Sequence, residues 1–366
     1  MTINIRASGL ARVMACQGSV ALAAQCPEPE SSEAAQEGTA AHEAAELVLT
    51  GQAPDLDALV DRQMSNGVFV TAEMVDHLRN YVEMLEGSQI ECPGEWSPCD
   101  GVKITGTTDA VRYDQDAKTL YVTDLKYGWR IVEAKDNWQL IAYAILQGGL
   151  SPGVERISMA IYQPRPWHPD GSLRMWVITQ QELQQYALRI TTWLAALGND
   201  LETGAHCTYC AALATCPAAR QMQYNAIDVA LNADTPDMLS GDGLAMQLDA
   251  LAIAADRIKL RQDALQDAAL AAIQKGEHVA GWTAKQSFGN KTWKDGVTPD
   301  AVAALTGRQD LSPPALITPT QALKRGVDTT LIDVLAHRPS RGVKLARASK
   351  DDAARAFTQA QPEKEA

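Results

Sequence analysis

The sequence predicts an α/β fold, a mixed sheet flanked by helices, followed by a mainly helical C-terminal extension. Three observations carry that expectation. The hydrophobic period changes from helical to alternating at Val102, a turn-rich pentapeptide divides the alternating stretch, and a helical segment separates it from two further alternating runs. With 366 residues, 46 % of them hydrophobic, the chain can bury a core large enough for two domains, or for one large domain with an appendage.

Residues 1–36 read as irregular or helical and end in the polar stretch "PEPESSEAAQ". "EGTAAHEAAELVLTG" reads as a helix with Thr39 as N-cap and Gly51 just past its end. His42 and Glu46 lie one turn apart on that helix and share a face. Asp55 to Gly87 reads as further helix, clearest in "VDHLRNYVEML".

"VKITGTTDAVRY" and "TLYVTDLKY" flank the turn "DQDAK" and form an antiparallel hairpin in the simplest arrangement. Pairing Tyr113 with Leu120 and Val111 with Val122 matches apolar with apolar, and the next pair outward on that face is Asp109 with Asp124. Two carboxylates with Cβ atoms about 5 Å apart destabilise a sheet, so positive charge is needed between them. Lys126 points to the same face and can supply it; a divalent cation, which prefers oxygen ligands, serves better.

"DNWQLIAYAILQGG" then reads as a crossover helix ended by Gly148 and Gly149, "ERISMAIYQP" and "LRMWVITQ" as strands, and Gln180 to Leu201 as a long helix. The expected organisation is a core domain over 1–226, a helical segment over 227–278, a small module over 279–350 and a polar tail over 351–366.

Two aspartates that can hold Mg²⁺ or Mn²⁺, beside a lysine that can stabilise charge on a phosphate, suit phosphodiester hydrolysis. The triplet "DLK" alone is more often an ordinary surface ion pair. Seven cysteines, an odd number, fit thiols or metal ligands in a reducing compartment better than a disulfide framework. Cys207, Cys210 and Cys216 follow a Cys-x2-Cys-x5-Cys pattern suited to one metal centre that needs a fourth ligand. Zinc completed by Cys16 or His206, an iron–sulfur cluster, and simple buried thiols all remain open on spacing alone.

A net charge of −13 argues against non-specific binding to nucleic acid. Gln321 to Lys350 departs from that balance, with Lys324, Arg325, Arg338, Arg341, Lys344, Arg347 and Lys350 against Asp328 and Asp333. That stretch reads either as a phosphate-tracking surface or as a solvated face. No apolar run suits a membrane span and no secretory signal is recognisable, so a cytoplasmic location is expected.

"GTAAHEAAE", "GTTD", "DLK" and "QLIAY", in this order, resemble the RecB-like branch of the PD-(D/E)XK nuclease superfamily. The resemblance implies a restriction-endonuclease-like core in which His42, Asp109, Asp124 and the Leu125 carbonyl are metal ligands, with Glu46 as an auxiliary. It implies Lys126 as the catalytic lysine, with Gln139 and Tyr143 facing the site from the next helix. Asp124 stands where many members carry Glu. Branch members with a [4Fe–4S] cluster place one cysteine before the core and three after it, which implies Cys16 with Cys207, Cys210 and Cys216, and Cys26 in reserve. Over most of its length the chain further resembles a phage and prophage family of unknown function, from "RASGLARVMACQGS" to "FGNKTWKDG" and "LSPPALITPTQALKRG".

These resemblances imply a metal-dependent DNA nuclease, with exonuclease action expected, working in phage replication or recombination inside the bacterial host. DNA and phage replication proteins are the implied partners, and homo-oligomers are compatible with them. The rivals are a catalytically idle DNA-binding or assembly component and a zinc-stapled interaction protein.

Overall fold

A computed structural model of the chain describes residues 2–27, 32–232, 241–288, 292–294, 297–308, 318–337 and 340–347. Two compact units are formed, Met1–Ile258 and Lys259–Ala366.

The first unit is built on a six-stranded mixed sheet flanked by helices, as the sequence predicts. Its strands are β1 (Ile3–Arg6), β2 (Gln89–Cys99), β3 (Val102–Asp114), β4 (Thr119–Leu125), β5 (Arg156–Tyr162) and β6 (Leu173–Thr179). β3 is central: β2 pairs with it antiparallel, β1 parallel over Val102–Thr105, and β4 antiparallel over Ala110–Asp114. Gly106 to Asp109 therefore fall between the β1 and β4 ladders. The hairpin register is the expected one, Tyr113 opposite Leu120 and Val111 opposite Val122. β4 and β5 run parallel, joined through helix α5 defined below, and β6 closes the sheet antiparallel to β5.

The helices of this unit are α1 (Leu10–Ala15), α2 (Ser19–Ala23), α3 (Glu33–Leu49), α4 (Ala72–Met84), α5 (Trp138–Leu146), α6 (Gln180–Ala195), α7 (Pro217–Asn232) and α8 (Gly241–Gln274), the last crossing into the second unit. One hydrophobic cluster joins α1, α5 and α6 to Val122, Ile157, Met159 and Ile161 of the sheet. The other joins α3 and α4 to Leu125, Tyr127 and Tyr162. On α3 the buried positions are Ala40, Ala41, Ala44 and Ala45, small side chains that let the helix approach closely.

Four expectations about element bounds are corrected. α3 starts at Glu33, where the Ser32 hydroxyl accepts from the Ala35 amide at 3.3 Å; Thr39 lies inside the helix and donates to the Ala35 carbonyl. Within Asp55 to Gly87 only α4 is α-helical, capped by Thr71, and the chain before it forms a short turn and a loop closed by a Gln63–Phe69 bridge. α6 stops at Ala195 because the following segment turns away to bond Gln17 and Gly18. Strands β1 and β2 were not expected: β1 is short, and β2 carries Pro93, Gly94 and Pro98, which hide its alternation.

The second unit contains β7 (Trp282–Phe288), β8 (Thr292–Trp293), α9 (Pro299–Thr306), α10 (Pro319–Lys324), α11 (Thr329–Leu335), β9 (Ala336–His337) and β10 (Ser340–Arg347). β7 pairs with β10 and β8 with β9, and Val302, Ala322, Ile332 and Leu335 form a small core. Among the described residues no helix is long and apolar enough to cross a membrane.

Candidate functional site

The carboxylates converge where β3 passes from one ladder to the other. Asp109 is nearly buried, and its Oδ2 accepts from the Leu125 amide at 2.7 Å, so the side chain continues the β3–β4 pairing beyond the backbone ladder. His42, on α3, brings Nδ1 to 3.4 Å from the same oxygen, and its ring also bonds the Leu125 backbone. Glu91 arrives from β2. Ligand atoms of His42, Glu91 and Asp109 lie within 4.8 Å of one another, a half-open donor set of one imidazole nitrogen and two carboxylates.

The electrostatics are those of a site short of positive charge. Burial, reinforced by Asp124, pushes the Asp109 carboxyl well above the usual carboxylate range. Burial and Asp109 push Glu91 up to about 7, with Glu46 and Asp124 adding to the effect and His42 opposing it. Burial lowers His42, which keeps the imidazole neutral and able to act as a ligand. Glu91 also adopts φ +50, a left-handed conformation that disfavours a side chain, held here within a paired strand.

Beside this set, Asp124 is 1 % exposed. The Lys126 ammonium pairs with its Oδ2 at 2.7 Å and donates to its Oδ1 at 3.0 Å. Lys126 also donates to Gln139 Oε1 at 3.2 Å, while Gln139 Nε2 reaches Asp124 Oδ1 at 3.1 Å and the Tyr143 hydroxyl at 2.9 Å. Burial alone would lower the Lys126 ammonium; the charge and hydrogen bond of Asp124, with Asp109 and Tyr209, raise it instead, so it stays protonated. Asn137 caps α5 through the Gln139 and Leu140 amides and so aims Gln139 at the lysine. At Gly106 an added Cβ would stand 2.9 Å from Tyr143 Cε1, so only glycine lets α5 lie this close to β3.

A second constellation joins distant parts of the chain. Gly18 donates to the Asp200 carbonyl at 2.9 Å, and a Cβ there would meet Asn199 O at 2.5 Å. Trp193 donates to the Val13 carbonyl at 3.0 Å. This docking buries Cys16, whose Sγ accepts from the Glu202 amide at 3.4 Å. The Gly204 amide donates to Cys207 Sγ, also at 3.4 Å. Burial raises the Cys207 and Cys210 thiols, and Cys216 and Cys16 both raise them further. Cys26 lies 3.9 Å from the Thr215 hydroxyl, and His206 bonds the Glu202 carbonyl.

Residues 4–339 match the family described as "Protein of unknown function (DUF2800)". The chain belongs to the DUF2800 family. No curated protein matches it. Among solved structures, the crystal structure of SSO0001 aligns with 60 % of this chain and 88 % of its own, at 18 % identity and a TM-score of 0.31, a likeness too low to carry an argument.

In this DUF2800 chain the structure brings together His42, Asp109, Asp124, Lys126, Gln139 and Tyr143, with the Leu125 backbone beside His42. Asp124 and Glu46 stand outside the three-residue donor set, Glu46 close enough to act on Glu91. Glu91 is the member that sequence reasoning missed. Pairing of β2 antiparallel to β3 sets Gln89 opposite Val111 and Cys92 opposite Thr108, which brings Glu91 level with Asp109; Pro93, Gly94 and Pro98 hide this strand in the sequence. Of the basic residues, Lys324 ends α10 and Arg325 caps it, both exposed. Arg341 lies in β10, where only the backbone is described, and Arg338 lies outside the described residues, as does the tail over 351–366.

Proposed function

We propose that this chain is a divalent-cation-dependent deoxyribonuclease with a PD-(D/E)XK-type core of the RecB-like branch. The observation that carries the reading is the convergence of His42, Glu91 and Asp109 beside an Asp124–Lys126–Gln139 network. The donor set suits the cation: oxygen-rich, completed by a neutral imidazole, and next to the buried Asp124 carboxylate. His42, Glu91 and Asp109 would hold Mg²⁺ or Mn²⁺, with Asp124 and the Leu125 carbonyl as further candidate ligands. When bound, the cation supplies positive charge to a phosphate oxygen and lowers the pKa of water.

The protein's own residues do the rest. Lys126 presents a fixed ammonium to charge developing on the phosphate. Gln139 holds that ammonium by its carbonyl and Asp124 by its amide, so the lysine is oriented before substrate arrives. Tyr143 anchors Gln139 through its hydroxyl. Cys16, Cys207, Cys210 and Cys216 are proposed to hold a [4Fe–4S] cluster that ties the N-terminal segment to the chain after α6; backbone amides donating to Cys16 and Cys207 suit thiolate ligands.

Digestion of end-labelled linear DNA with Mg²⁺ or Mn²⁺, with EDTA, and with Lys126→Ala tests the reading. Metal-dependent release of label by the wild type and not by the variant is expected. Cleavage by Lys126→Ala at the wild-type rate removes the role given to the lysine. DNA binding with no cleavage by the wild type leaves a binding component in place of an enzyme.

A further inference from the structure

The segment that leaves the site after Lys126 is held in place by groups that are costly to bury. Gln163, fully buried, donates to the Gly128 and Arg130 carbonyls, both at 2.8 Å, and accepts from the Val132 amide at 3.1 Å. Arg174, 4 % exposed, donates to the Val132 carbonyl at 2.8 and 3.0 Å and to Gln163 at 2.6 Å. An interior guanidinium is tolerated only where its geometry is fully satisfied. What this rigid loop presents to solvent is Trp129, 63 % exposed. The Arg165 guanidinium lies 3.9 Å from the Tyr127 ring centroid and 5.5 Å from that of Trp129, bracing the loop from within.

A second exposed ring stands nearby. Arg130 donates to the Thr208 hydroxyl at 2.7 Å, which ties the loop to the cysteine segment. The next residue, Tyr209, is 81 % exposed and close enough to act on the charge of Lys126. Two exposed rings thus stand beside the two ends of the Arg130–Thr208 hydrogen bond, one three residues beyond Lys126 and the other close enough to act on its charge.

From this arrangement we infer that Trp129 and Tyr209 are stacking platforms that select single-stranded DNA, taking unpaired bases on their faces while the backbone runs toward Lys126. The choice of DNA as occupant rests on the nuclease reading. Duplex bases stack on one another and offer no faces along the helix; unpaired bases do. The net charge of −13 works against long-range attraction of any nucleic-acid strand, so affinity has to come from short-range contacts, and stacking is one that only unpaired bases can make. Arg130 supplies local charge to the phosphates that stacked bases bring with them.

Fluorescence anisotropy in EDTA, where binding is read without cleavage, tests the inference with a labelled oligothymidylate, a duplex of equal length and an abasic strand of equal length. Trp129→Ala and Tyr209→Ala should each weaken binding of the oligothymidylate roughly 5-fold or more, and the double variant more than either. Trp129→Phe should stay within about threefold of wild type, because a phenyl face still stacks. The wild type should bind the abasic strand no better than the double variant binds the oligothymidylate. Unchanged affinity in the double variant overturns the inference, as does an equal loss on the abasic strand, wild-type preference for duplex, or no binding of single strands. Ring-dependent binding of single strands, with no metal-dependent cleavage by the wild type, would overturn the nuclease reading and leave this inference standing.

Discussion

The carboxylate corner and the cysteine cluster are both donor-rich, but they are assembled from opposite materials. Asp109, Asp124 and Lys126 come from a single hairpin, and β2 and α3 add Glu91 and His42 at its edge. The cysteines come from two segments about 190 positions apart, brought together only when Trp193 and Gly18 dock the N-terminal segment. The first is rich in carboxylates, Asp124 raising Asp109 and Asp109 raising Glu91; the second is neutral while its thiols stay protonated. Removing a bound ion should therefore disturb the two in different ways. The corner loses a counter-charge and keeps its frame, whereas the cluster loses a cross-link between distant segments.

The largest expected effect lies at the sulfur end. Cys16→Ser should cost on the order of 5 kcal/mol of unfolding free energy, part of the roughly 10 kcal/mol that thiolate-bound structural metals contribute. Cys26→Ser should stay within about 1 kcal/mol. Denaturant unfolding with iron and sulfide analysis measures both, and equal effects would break the contrast between the two cysteines.

At the corner, Lys126→Ala should slow cleavage roughly 10²- to 10³-fold. In EDTA it should also cost about 3–5 kcal/mol, because it strips the nearly buried Asp124 of its counter-ion. Mn²⁺ should restore part of the loss; equal stability with and without the cation would mean that none binds beside Asp124.

Gly106→Ala should destabilise by about 1–3 kcal/mol, since the new methyl meets Tyr143 Cε1 and Ala7 Cβ at 2.9 and 3.0 Å. It should also impair cleavage, by displacing the helix that carries Gln139. Thermal unfolding alongside a cleavage assay separates this variant from a neutral one.

The smallest effect is the pH dependence of Glu91. Its folded pKa, about 7, lies above the ordinary 4.5, so its contribution is fully present below pH 4.5 and lost as pH rises through 7. In EDTA, Glu91→Gln should therefore unfold at a higher temperature than wild type at pH 8 and at a similar one near pH 4.5. With Mn²⁺ at pH 8 the order should reverse, because the wild type alone keeps the ligand. No crossover between the two conditions would remove Glu91 from the cation site.

What could be read from residues follows the range of the interactions involved. The register of the β3–β4 hairpin, with its two aspartates, was legible because apolar alternation and turn composition act over a few residues. Gln139 and Tyr143 entered through resemblance, helical spacing adding only that positions four apart share a face. His42 as a ligand also entered through resemblance, and Cys16 was, on spacing, one of several candidates for a fourth ligand. Only the tertiary structure decided that Glu91 joins the donor set, because proline and glycine mask its strand and its carboxylate meets Asp109 only when β2 pairs with β3. It likewise decided that a buried Gln163 and Arg174 hold Trp129 out toward solvent. By itself the sequence determined which short segments could form and what chemistry each carried. Which segments met was left to packing, because contacts between distant residues depend on surfaces that exist only after the local elements have formed.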